Sequence, residues 1–183
     1  MKKIEIPSFY LIDRLENHNE LKESLLELFN HNPVKENDSY KSTQYGDKVT
    51  NLDWSRSQDL NREWVKILLP HLQHKTKTML EGVGYDEFDI IGIWFQQYYN
   101  SDIHDWHFHG ATFTCVYYLE LEETSPKTQL MEPYNINNII EPEIKEGDIL
   151  LFPAHIIHRG PTIPDNKRKT IVSYNVNGIS LNV

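Results

Sequence analysis

Two spacings of apolar residues divide the chain. In the first half, Leu21, Leu25, Leu28 and Phe29 recur at i, i+4, i+7 and i+8, which predicts an amphipathic helix. A second stripe of Leu60, Trp64, Ile67, Leu68 and Leu72 predicts another helix, with a stop at Gly82 or Gly84. Pro70 lies inside that stripe, so the pattern predicts a break or kink there. Ahead of both, residues 4 to 12 (Ile4, Ile6, Phe9, Tyr10, Leu11, Ile12) read as a short strand broken by Pro7. Residues 31 to 56 are polar and read as a long irregular connection.

From about residue 88 the pattern becomes that of strands. Phe88 to Tyr99, Thr112 to Leu121, Ile149 to Phe152 and Thr170 to Val176 are rich in β-branched and aromatic residues. Turn formers separate them at Asn100-Ser101-Asp102, Glu146-Gly147-Asp148 and Pro164-Asp165-Asn166. The run from Glu132 to Glu143 reads as a loop or an edge strand. Two helices followed by several short strands predict an α+β fold with an antiparallel sandwich or barrel at its core. With no internal repeat and no evident boundary, one domain is expected over 1–183: a helical flank to about 87, then a β core over about 88–177.

Composition narrows the classes. The 183 residues carry a net charge of -9, which argues against a duplex nucleic-acid binder, since phosphate neutralisation needs clustered Lys and Arg. The single cysteine, Cys115, excludes a disulfide scaffold and a thiolate zinc site, and fits a reducing compartment. Glu5, Pro7 and Asp13 interrupt any signal-peptide core after Lys2-Lys3, and Ile149 to Phe152 is far too short to span a bilayer. A cytoplasmic domain with no membrane or nucleic-acid partner is expected. Whether it forms a homo-oligomer is left open.

Histidine makes the reading specific. Five of the nine lie between 104 and 158, with the densest run at Asp105-Trp106-His107-Phe108-His109. Strand residues at i and i+2 point to one face, so His107 and His109 can converge on one ion, with Asp105 on the same side. Gly147 to His158 supplies an apolar strand ending in a third candidate, His158. Three ligands from two strands leave half an octahedron open, as a redox metal needs when O2 and an organic ligand bind together. His104 and His155 read as solvent-facing or supporting residues, and Asp105 either orients a ligand or coordinates itself.

The pattern Trp94…His107-x-His109…Val116-Tyr117-Tyr118-Leu119…Gly147-Asp148…Phe152-Pro153…His158…Arg168/Lys169…Ser173-Tyr174-Asn175 resembles the 2-oxoglutarate and Fe(II)-dependent oxygenases. The nearest subgroup is the small oxygenases of bacteria and their phages, which would place the chain in a host cytoplasm if phage-encoded. The resemblance spans roughly residues 90 to 177. It implies a double-stranded β-helix, a squashed barrel of two antiparallel sheets with flanking helices.

It further implies Fe(II), 2-oxoglutarate and O2 as cofactor and co-substrates, with His107, His109 and His158 as metal ligands. The wider superfamily places Asp or Glu where His109 stands. A neutral imidazole there leaves the full +2 charge on the ion. The resemblance also implies a basic anchor for the far carboxylate of 2-oxoglutarate ten or eleven residues after His158, where Arg168 and Lys169 stand. Strand alternation lets only one of the two point inward. The bidentate fork of Arg168 favours it, with Thr170 adding a hydroxyl. Tyr98 and Tyr117 are further candidate donors, or core aromatics. The implied activity is a dioxygenase hydroxylating a protein residue or a small molecule, with release of succinate and CO2.

Two other readings remain. Gly147 to His158 nearly matches the second cupin motif, but the first cupin motif needs a Glu four or five residues after His109, where Phe113 and Thr114 stand. A non-catalytic metal-binding or structural β-helix module is the other, with Glu120 to Glu123 and residues 122 to 143 as an interaction face.

Overall fold

The computed structural model describes residues 8–31 and 48–181. The chain begins with strand β1 (Leu11–Arg14) and helix α1 (His18–His31). Strand β2 (Asn51–Leu52), a 3-10 turn (Trp54–Arg56) and helix α2 (Glu63–Glu81) follow. The remainder is strand: β3 (Tyr85–Tyr98), β4 (His104–His107), β5 (Phe113–Glu120), β6 (Gln129–Glu132), β7 (Asn135–Ile140), β8 (Asp148–Pro153), β9 (His158–Gly160) and β10 (Lys169–Leu181). The early part of the expected first strand, and residues 32–47 of the expected irregular connection, lie outside the described residues.

The strands form a six-stranded sheet, β1-β8-β5-β10-β3-β2, and a four-stranded sheet, β4-β9-β6-β7, with every neighbouring pair antiparallel. This is the expected double-stranded β-helix. Within residues 132 to 143, which read as a loop or an edge strand, Asn135–Ile140 form β7 at one edge of the smaller sheet.

Strand alternation divides the interior into two cores. On one face of the large sheet, Ile93, Phe95, Cys115, Tyr117, Ile149, Leu151, Val172 and Tyr174 pack under Leu25 and Phe29 of α1 and Leu68 and Leu72 of α2. On the other face, Trp94, Tyr98, Val116, Leu150, Phe152 and Ile171 meet Leu130 of the small sheet. The register Lys169↔Tyr98, Ile171↔Gln96 and Ser173↔Trp94 fixes which residues of β10 and β3 share this second face. The chemistry is built there.

Helix α2 continues through Pro70, so of the expected break or kink there the break does not occur. A proline inside a helix costs about 3 kcal/mol. The buried stripe of Trp64, Val65, Leu68, Leu72, Met79 and Leu80 contributes about 1.5–3 kcal/mol per side chain, which outweighs it. Packing decides this helix, not local propensity.

Candidate metal centre

His107 and His158 are direct register partners across β4 and β9. Antiparallel partners carry their side chains on one face, so both rings enter the space between the sheets, with centroids 4.2 Å apart. His109 lies two residues beyond His107 and keeps the same side. Its backbone N–H donates to the Ala154 carbonyl at 2.9 Å, which ties this turn to the end of β8. One candidate ligand atom from each of the three histidines lies within 4.8 Å of the others. Among the described residues, no other group of three His, Cys, Asp or Glu comes together in this way.

The protonation pattern suits a cation. His107 Nδ1–H donates to the Asp105 carbonyl at 2.6 Å, and His158 Nδ1–H donates to the Ile156 carbonyl at 2.9 Å. A carbonyl only accepts, so each Nδ1 holds the proton and each Nε2 keeps its lone pair for a metal. Burial pushes the His109 pKa down to about 4, helped by nearby His107. Burial also holds His158 well below its ordinary value. Both rings are therefore neutral at neutral pH, as coordination requires. The donor set fits a divalent transition metal bound through nitrogen.

Asp105 is outside the converging trio. Its carboxylate accepts the Trp106 N–H at 2.7 Å, while its main-chain carbonyl orients His107. Of the two histidines read as solvent-facing or supporting, His155 is exposed. His104 instead lines the pocket, stacked on His107 at 3.9 Å and 18°.

The two basic candidates separate cleanly. Lys169 is 1% exposed, on the face of β10 that looks between the sheets. Its Nζ donates to the Pro126 carbonyl at 3.2 Å and lies 4.5 Å from the Tyr98 ring centroid. Burial lowers its pKa to about 7, with Glu141 pulling it back only in part. Arg168 points the other way. Its fork grips Glu120 with two bonds of 2.7 Å at a part-exposed position. The preference for Arg168 is therefore reversed: the strand has room for one inward cation, and β10 turns Lys169 inward.

Thr170 follows Arg168 outward and donates to the same Glu120 at 2.8 Å. Tyr117 also lies on the helix-facing side, 2.8 Å from His18 Nδ1, so it is a core residue away from the pocket. Tyr98 is inside. Its hydroxyl donates to Gln96 Oε1 at 3.1 Å.

The sequence reading missed Gln96. Its Oε1 accepts from Tyr98 and, at 3.4 Å, from Ser173. Its amide nitrogen donates to His104 Nδ1 at 3.0 Å, which leaves the His104 proton on Nε2. The signal was available: Gln96 lies between Trp94 and Tyr98 on one strand face.

Solved structures share this architecture. A viral collagen prolyl hydroxylase from Paramecium Bursaria Chlorella virus-1 matches with TM-score 0.63 and 14% identity, over 98% of this chain and 97% of that one. A Pseudomonas putida prolyl-4-hydroxylase gives 0.62 and 12% over 93% of each chain. A 2OG-Fe(II) oxygenase family oxidoreductase from Burkholderia pseudomallei gives 0.56 and 15%, over 67% of this chain and 60% of that longer one. The fold is that of the 2-oxoglutarate and Fe(II)-dependent oxygenases. No family model matches the chain, and no curated protein matches it in sequence.

On this oxygenase fold the histidine trio opens into one pocket, and Lys169 lies behind Tyr98, one of its lining residues. Its floor is Trp94, Val116 and Ile171, and its polar groups include Gln96, Thr114 and Ser173. Trp94 stacks beside His109 at 5.7 Å and 25°. Among the described residues, no Asp or Glu lines it.

Proposed function

We propose that the chain is an Fe(II)- and 2-oxoglutarate-dependent dioxygenase that hydroxylates a protein residue or a small molecule. One observation carries the reading: three convergent imidazoles line one pocket, with a buried lysine behind its Tyr98 wall, on an oxygenase fold. His107, His109 and His158 would hold the metal. Bound there, Fe(II) supplies the redox chemistry that couples O2 and the decarboxylation of 2-oxoglutarate to succinate and CO2 with hydroxylation of substrate.

The chain's own residues set the conditions. The Asp105 and Ile156 carbonyls fix the tautomers of His107 and His158, so no proton has to leave either Nε2 on binding. Lys169 offers an ammonium to the far carboxylate of a dicarboxylic acid, and forming that pair draws its proton back. Tyr98 holds the lysine over its ring while its own hydroxyl is anchored by Gln96. Trp94, Val116 and Ile171 keep the pocket wall dry.

The test is anaerobic. Fe(II) plus 2-oxoglutarate is expected to give a weak visible charge-transfer band with the wild type and none with His158→Ala. Succinate should then form with a competent substrate. Metal uptake without that band, and without succinate across a substrate panel, would overturn the proposal. It would support the second reading, a cupin-type metalloenzyme independent of 2-oxoglutarate. One observation favours that second reading: all three donors are imidazoles, with no carboxylate among them.

A further inference from the structure

The pocket is closed at one end and open at the other. At the closed end Tyr98 and Thr128 are 1% and 4% exposed, with Lys169 behind Tyr98. At the other end His107 and His109 are half-buried and Gly110 is exposed, with open space where a Cβ would stand. A substrate that reaches the trio comes past this end.

Three side chains that the metal centre does not use build the rim there. On β10, Asn175 follows Lys169, Ile171 and Ser173 on the inward face. Its register partners are Thr114 on β5 and Gly92 on β3. The Thr114 hydroxyl donates to Asn175 Oδ1 at 3.2 Å, which leaves both Nδ2 hydrogens without a partner among the described residues. The exposed Gln58 lies across Gly92, its Nε2 3.2 Å from where a Cβ would sit. Among the described residues its amide has no partner. Trp54, 38% exposed, stands edge-on to Trp94 with centroids 4.4 Å apart.

A buried ion pair fixes this arrangement. Asp53 and Arg62 are bonded to each other at 4% and 3% side-chain exposure. Asp53 also accepts the Phe95 N–H at 2.8 Å, and Arg62 donates to the Ile93 carbonyl at 2.6 Å. Together with the bond from Ile93 N–H to the Ser57 carbonyl at 3.0 Å, they pin residues 53–58 along β3. Trp54 and Gln58 are thereby held at the pocket mouth.

The segment brings no unpaired charge with it, since Arg56 pairs with Asp59 at 2.9 Å. Arg159, which lines the pocket, is bonded to Gln129 at 2.8 Å and covers the Trp106 ring. The rim offers an aromatic face and two amides. A side-chain amide presents donors and an acceptor together, and the group that matches both is another amide. A charged group placed here would give up water without finding a counter-ion.

We infer that the primary substrate presents an uncharged amide to this rim, bonded by Gln58 and Asn175 and lying against Trp54. This names the substrate class for the dioxygenase proposed above and rests on that reading.

Nitrogen-edited NMR of the full chain follows the side-chain amides of Gln58 and Asn175 and the indole N–H of Trp54. The probes are neutral N-acetylglycinamide, its anionic relative N-acetylglycine, the cation glycinamide, and glycerol. Without metal, where a carboxylate has no ion to bind, N-acetylglycinamide should shift all three signals and bind at least about tenfold more tightly than the others. Loading with Zn(II) should leave that affinity within about twofold, because the rim holds none of the metal ligands. Gln58→Ala, at an exposed position, and Asn175→Ala should each weaken it by about two- to tenfold, the loss of one neutral hydrogen bond. No shift of these signals, equal binding of a charged probe or of glycerol, or indifference to both substitutions would overturn the inference. The two readings fail separately. A missing charge-transfer band with amide selectivity intact refutes the dioxygenase and leaves the amide site standing; a band without amide selectivity refutes the amide site.

Discussion

Replacing Lys169 with methionine should stabilise the protein while weakening its binding of 2-oxoglutarate. Methionine keeps much of the apolar stem and has no proton to lose. The lysine is 1% exposed, and burial brings its pKa from 10.5 to about 7. Between those values the unfolded chain binds more protons than the folded one, so wild-type stability rises with pH there. At pH 7 the displacement opposes folding by about 4 to 5 kcal/mol. Removing the donor to Pro126 O takes back about 1–3 kcal/mol, because that carbonyl loses its partner. The net gain for Lys169→Met should be about 2 kcal/mol at pH 7, read from urea midpoints at constant slope. The advantage should shrink by about 1.4 kcal/mol per pH unit as pH rises towards 10.5. The same variant should bind 2-oxoglutarate about ten- to a hundredfold more weakly, the loss of one charge-assisted pair. A variant no more stable than wild type at pH 7, with a pH-independent difference, would refute the reasoning about the buried ammonium.

Arg168→Ala should leave 2-oxoglutarate affinity within about twofold and cost at most about 1 kcal/mol, because its pair with Glu120 is part-exposed; titration calorimetry and denaturation check both. His18 is buried against Tyr117 and Glu146, and burial lowers its pKa. The unfolded chain therefore takes the proton first, and stability should fall as pH drops through about 6.5. Melting temperatures from about pH 7.5 to about pH 5.5 should fall more for wild type than for His18→Gln. His109→Asp should retain metal by elemental analysis, a carboxylate being a competent donor in that place, whereas His109→Ala should lose it. Equal loss in both would show that Trp94 stacking on the imidazole, and not the donor atom, holds the ligand turn.

Legibility in the sequence followed the strength of local pattern. The four expected core strands are all present, because uninterrupted β-branched and aromatic runs admit few other packings. His107, His109 and His158 were readable because an i, i+2 pair and a strand-terminal histidine survive small errors in boundary. The choice between Arg168 and Lys169 was not readable. It turns on the parity of one strand, and a one-residue slip sends every side chain to the other face. The β10 register, Lys169 opposite Tyr98, is fixed by long-range pairing with β3 and β5. The same parity takes Thr170 and Tyr117 out of the pocket and leaves Tyr98 in. His104 was underread for a related reason: alone it is an ordinary histidine, and only its stack on His107 and its bond to Gln96 bring it into the site.

Net charge proves a poor guide to this pocket, for a reason that can be traced. The chain carries -9, yet its carboxylates are committed elsewhere: Glu120 to Arg168 and Thr170, Glu146 to Lys22 and His18, Asp53 to Arg62. The pocket lining holds imidazoles, the Gln96 amide and Arg159, with Lys169 behind Tyr98. Such a lining can donate lone pairs to a dication, but it cannot neutralise one. Under the proposed function, a dianion beside the metal would supply that missing negative charge, and Lys169, whose pKa burial lowers to about 7, would then hold its proton more firmly. With an all-imidazole donor set, metal, dicarboxylate and lysine proton would thus bind more favourably together than singly. That coupling would let histidine stand where the resembled superfamily has Asp or Glu without leaving the filled site over-charged.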